Sequence, residues 1–122
     1  MSTSEIYKII SKTEWEAAAA AGVFKGASID LADGYIHFST AAQAAETAAL
    51  HFANQEGLAL VSVSTKELGD ALKWEASRGG ALFPHLYAAL EMHHVARVDD
   101  LPVGPEGKHV FPDHVATAGV TQ

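Results

Sequence analysis

Helical and strand periodicities are segregated along this chain, and that order restricts its architecture more than any other feature. Helical spacing fills "SKTEWEAAAAAG" and "AAQAAETAALHFANQEG", whereas "LALVSVS", a β-branched run bounded by turn formers that reads as a buried strand, and the alternating "LKWEAS" and "LFPHLYAAL" follow. Earlier strands are confined to "IYKII" and "GYIHFS". Without regular strand–helix alternation a doubly wound parallel sheet does not form. The expected class is therefore α+β, with a largely antiparallel or mixed sheet and helices packed on it. No GxGxxG or P-loop sequence occurs to argue otherwise.

Local signals place the elements. Thr13 and Glu16 have capping-box spacing, and Gly22 supplies a stop. "VFKGASIDLAD" reads as a loop. Thr40 and Gln43 repeat the capping box ahead of a helix whose Ala42, Ala45, Ala49 and Phe52 form the expected packing stripe. Ser64 and Glu67 suggest a one-turn helix, and "HHVARVDDL" a last strand. Trp15 and Trp74 are assigned to the core by their spacing. At 122 residues the chain is expected to form one domain over residues 1–115, followed by a frayed tail at 116–122.

Charge and composition exclude several classes of function. With 8 basic against 15 acidic residues the chain carries a formal charge of −7, which repels nucleic acid and anionic lipid. It has no cysteine, so thiolate metal sites and cysteine nucleophiles are excluded. The longest apolar run is far short of a membrane span, and the expected location is cytoplasmic.

The chemistry concentrates in "DGYIHFST". Strand alternation puts Tyr35, His37 and Ser39 on one face and Ile36 and Phe38 on the other. His85 recurs in the same setting, beside Phe83 and Tyr87. The two imidazoles are expected to face each other across one cleft, with Tyr35, Ser39 and Tyr87 nearby. Thr40 is better explained as a helix cap. "SRGG" offers Arg78 and two glycines that could form an anion-binding nest or an ordinary tight turn. No metal is expected: His109 and His114 flank Pro112, and adjacent His93 and His94 would point to opposite faces of a strand.

In the order in which they come, "IYKI", "DGYIHFST" and "LKWEASRGGALFPHLY" resemble an uncharacterised bacterial family, domain of unknown function 952. The resemblance implies an ADP-ribosyltransferase-like fold, two small split sheets with NAD held in the cleft between them. It implies that His37, Phe38 and Ser39 match the histidine–x–serine or threonine pattern of the strand that holds the nicotinamide ribose. The cofactor-binding set is then His37, Ser39, Tyr35, Arg78 and Tyr87. Catalysis would fall to His37 and His85 with a carboxylate, for which Glu75, and by residue type Glu91, are candidates. Two functions follow: ADP-ribosyl transfer or hydrolysis on NAD, or a non-catalytic module that binds a nucleotide or small anion. Both call for a small-molecule ligand, and neither determines the oligomeric state.

Overall fold

The computed structural model describes residues 5–77, 80–105 and 107–115. Glu5–Ser11 forms β1, Lys12–Ala21 α1, Val23–Phe24 β2, Ser28–Asp33 α2, Ile36–His37 β3, Ala41–His51 α3 and Leu58–Ser64 β4. A 3₁₀ turn at Gly69–Ala71 leads to β5 (Leu72–Ser77), β6 (Ala81–Leu86) and β7 (Leu90–Glu91). A second 3₁₀ turn, Met92–His94, precedes β8 (Val95–Leu101). The class is α+β, and the sheets β1-β4-β8, β2-β7 and β3-β6-β5 are antiparallel.

β4 is apolar on both faces because both are covered. On one face Ile6, Ile10, Val61 and Val63 meet Trp15 and Ala18 of α1, together with Phe24, Ile36 and Leu86. On the other, Tyr7, Ile9, Leu58 and Leu60 meet Ala44 and Ala48 of α3, with Leu101 and Val115. The register, Ile6 opposite Val63 and Ile9 opposite Leu60, delivers each set to its face.

Residues 36–39 join the two three-stranded sheets. Ile36 and His37 pair with Leu86 and His85 on β6, and Phe38 N–H donates to the Pro84 carbonyl. Ser39 then exchanges two backbone bonds of 2.8 Å with Tyr7 on the edge of β1. The strand expected over "GYIHFS" is therefore two residues of β3 and a single bridge, since one segment serves two sheets.

Several expectations are corrected. α1 begins two residues earlier than its internal capping-box spacing suggested: Ser11 Oγ accepts from Glu14 N–H at 3.1 Å, while Gly22 closes the helix as expected with φ of 85°. The supposed loop at 23–33 holds β2 and α2. Hydrophobic spacing hides α2 because its polarity is inverted, with Asp30 1% exposed between Ile29 at 62% and Leu31 at 65%. Trp74 is 38% exposed and Leu82 55%, because on that face of β5 and β6 burial takes in Leu86, Pro84 and part of Leu72 and stops short of both. The one-turn helix after Ser64 is a turn followed by the 3₁₀ segment at Gly69–Ala71. His93 and His94 lie on the second 3₁₀ turn, not on opposite faces of a strand. Arg78, Gly79 and the tail at 116–122 lie outside the described residues. Among the described residues, no helix is long and apolar enough to cross a membrane.

α3 has the expected cap, with Thr40 Oγ1 accepting from Gln43 N–H and Gln43 Oε1 from Thr40 N–H. Its packing stripe is Ala44 and Ala48, flanked by Ala41 and Phe52; Ala42, Ala45 and Ala49 face outward. Alanines occupy nearly every face of this helix, so spacing alone does not select one. The cap at Thr40 and the bridge at Ser39 orient it. Overpacking is thus expected at Ala44 instead of Ala49. Ala44→Leu should destabilise by about 1 to 3 kcal/mol in urea denaturation, and Ala49→Leu by less than about 0.5 kcal/mol. The reverse order would contradict this packing.

Candidate functional site

The pairing of β3 with β6 sets His37 directly opposite His85, where cross-strand side chains share one face. Their ring centroids are 5.5 Å apart at an interplanar angle of 67°. Tyr35, just ahead of β3, stacks on His85 at 4.1 Å and lies 4.7 Å from His37 and 5.0 Å from Tyr87. The structure thus brings three of the rings that the sequence proposed for one site, Tyr35, His37 and His85, together, with Tyr87 in contact on Tyr35.

Each imidazole is held by carboxylates. Asp30 accepts from Lys8 Nζ at 3.0 Å, Ala27 N–H at 2.8 Å, His37 N–H at 3.1 Å and His37 Nδ1 at 2.6 Å. His37 Nε2 lies 2.9 Å from Asp33 Oδ2. A carboxylate only accepts, so both bonds of the ring form together when both nitrogens carry protons. Burial alone raises the Asp30 pKa, but the Lys8 charge and the bonds from His37 and Ala27 outweigh it and hold the carboxyl below its ordinary value.

On β5, Glu75 Oε1 accepts from His85 Nδ1 at 2.7 Å and from the Tyr87 hydroxyl at 2.8 Å. These two bonds hold Glu75 below the usual carboxylate range, and the Glu75 bond pushes Tyr87 up to about 12. Burial, then the nearby Asp33 and Glu75 charges, raises Tyr35 as well. With Nδ1–H directed to Glu75, Nε2 is the acceptor of a neutral His85 ring.

Tyr35, His37 and His85 form one wall of a cavity of about 540 Å³ between the two sheets. Tyr7, Lys8 and Ile9 of β1 contribute a second wall, and Ser39, Thr47 and Phe52 a third. Asp33 also lines it. Ser39 is buried, with its Oγ 2.8 Å from Thr47 Oγ1. Three candidates stand elsewhere. Glu75 does not line this cavity and reaches it only through His85, while Tyr87 faces a separate pocket of about 250 Å³ beyond Tyr35. Glu91 is on β7, 3.5 Å from His93. The carboxylate at the cavity is Asp33, which sequence reading missed together with Asp30 and Lys8. The available signal was the three- and four-residue spacing of Asp30, Asp33 and His37 in "DLADGYIH".

The comparisons agree with this extent of the fold. The crystal structure of protein CC0527 from Caulobacter crescentus is similar at 52% identity with a TM-score of 0.87, covering 92% of this chain and 98% of that one. Its solution NMR structure matches at 51% identity and a TM-score of 0.83, over 93% of this chain and 97% of that one. No curated protein matches the chain. The model of the family described as "Protein of unknown function (DUF952)" matches residues 9–98, and the chain belongs to that family.

Proposed function

We propose that the cavity binds NAD or another ADP-ribose-containing molecule, with a ribose hydroxyl inserting between His37 Nε2 and Asp33, a second hydroxyl reaching Ser39, and the nicotinamide ring against Tyr35. The carrying observation is that Tyr35, His37 and His85 converge on one wall of a 540 Å³ cavity. That volume lies within the roughly 300–1,000 Å³ of small-molecule sites, and a mostly apolar lining with a few convergent polar groups is their usual composition. The position between two small sheets also agrees with the resemblance to the ADP-ribosyltransferase-like fold, an associational support.

Within this reading Asp33 favours chemistry on the ligand. A carboxylate at the cavity is the group that stabilises the positive charge growing on ribose as its bond to nicotinamide breaks. Glu75 favours the alternative, a binding module without turnover, because its carboxylate is engaged by His85 and Tyr87 away from the cavity.

Calorimetric titration of the protein with NAD, ADP-ribose and nicotinamide, with released nicotinamide assayed in parallel, tests both. Saturable one-to-one binding of NAD or ADP-ribose is expected. Nicotinamide release that disappears in Asp33→Asn marks an enzyme, and binding without release marks a module. Absence of binding by all three ligands at millimolar concentration would overturn the proposal.

A further inference from the structure

We propose that Glu67, His93 and His94 form a binding site for a borderline divalent transition-metal ion, with zinc as its simplest probe. His93 and His94 share a 3₁₀ turn, on which neighbours are separated by about 120° instead of the near 180° of a strand. Their rings accordingly lie side by side, with centroids 4.1 Å apart. Glu67, in the connection from β4 to β5, brings Oε1 to 3.5 Å from His93 Nε2. One ligating atom from each of the three residues lies within 4.8 Å of the other two.

Donors held about 2.0–2.2 Å from a tetrahedral zinc ion stand roughly 3.3–3.6 Å from one another. The Glu67–His93 pair already has that spacing, and the exposed Glu67 and His93 side chains can close the remainder by rotation. Two further contacts favour a ligand over a surface ion pair. Glu91 Oε1 lies 3.5 Å from His93 Nδ1, the carboxylate that a ligating imidazole commonly has on its other nitrogen. His94 Nδ1 is buried without a hydrogen-bond partner among the described residues, so no protein hydrogen bond commits that nitrogen.

Two imidazoles and one carboxylate suit zinc, cobalt or nickel better than magnesium or calcium, and leave a fourth position to water. A bound ion would tie the β4–β5 connection to the corner between β7 and β8. None of the three residues lines the 540 Å³ cavity, so the site is independent of the proposed nucleotide cleft.

The test is titration of the protein with zinc chloride, with cobalt substitution read by visible absorption. One ion per chain is expected. His93→Ala, His94→Ala and Glu67→Gln should each weaken binding by at least about tenfold, while His37→Ala and His109→Ala leave it unchanged. Zinc binding no tighter than millimolar, or wild-type affinity in all three substituted proteins, would overturn the proposal. Loss of binding in His37→Ala with retention in His93→Ala would overturn it equally, by moving the ion to the cleft.

Discussion

Asp30→Ala is expected to destabilise the fold by about 3 to 5 kcal/mol, the range for stranding one partner of a buried ion pair. Lys8 is buried on β1, and its Nζ lies 3.0 Å from each Asp30 oxygen. Asp30 also receives Ala27 N–H at the start of α2, and the backbone and ring of His37 just beyond its end. Alanine would therefore orphan a buried ammonium and release α2 at both ends. Lys8→Met should destabilise less, since Asp30 keeps three other donors. Urea midpoints in the opposite order would contradict this account.

The same carboxylate gives the fold an acid limit. Its folded pKa is depressed, so its contribution is complete above the ordinary unfolded value of about 4 and is lost as pH falls through the lower folded value. Between neutrality and strong acid, wild-type stability should fall more steeply than that of Asp30→Asn, which has no proton to gain at that position. Parallel curves would assign the acid sensitivity to other groups.

In the cleft, His37→Ala and His85→Ala should each weaken NAD or ADP-ribose binding by about 1.5 to 3 kcal/mol, or roughly 10- to 150-fold. Their effects on stability should differ. His37 is partly exposed, and Asp30 retains Lys8 and two backbone donors without its ring. His85 is buried beneath Tyr35, so removing it leaves a void and should lower stability by about 1 to 3 kcal/mol. Unchanged affinity in a folded His37→Ala protein would remove the principal contact from the proposed site.

The parts of the site that were legible in the sequence are those governed by strand alternation. "DGYIHFST" and "LFPHLY" each carry an imidazole among aromatics on one face, and antiparallel pairing does the rest by setting His37 against His85. Local chemistry similarly announced Thr40 as a cap and Leu58–Ser64 as a buried strand. What stayed hidden depends on tertiary contact. Asp30 is polar yet fully enclosed because Lys8, 22 residues earlier, shares its pocket, and the exposed Ile29 and Leu31 remove the apolar stripe that would mark α2. Glu75 carried the right residue type for a catalytic carboxylate, but its strand register turns it to His85 and Tyr87. The face of α3 was undecidable for another reason: alanine is uniformly small and apolar, so its spacing carries little information about direction.

The central claim is that the wall of Tyr35, His37 and His85 receives a nucleotide ligand. Its most direct test is an NMR titration of isotopically labelled protein with NAD, following the imidazole signals of His37 and His85 and the backbone amides of Tyr35 and Ser39. The account predicts that these signals move together along one saturable isotherm and stay still in His37→Ala. Signals that do not move at millimolar NAD, or shifts confined to residues outside the cavity, would contradict it.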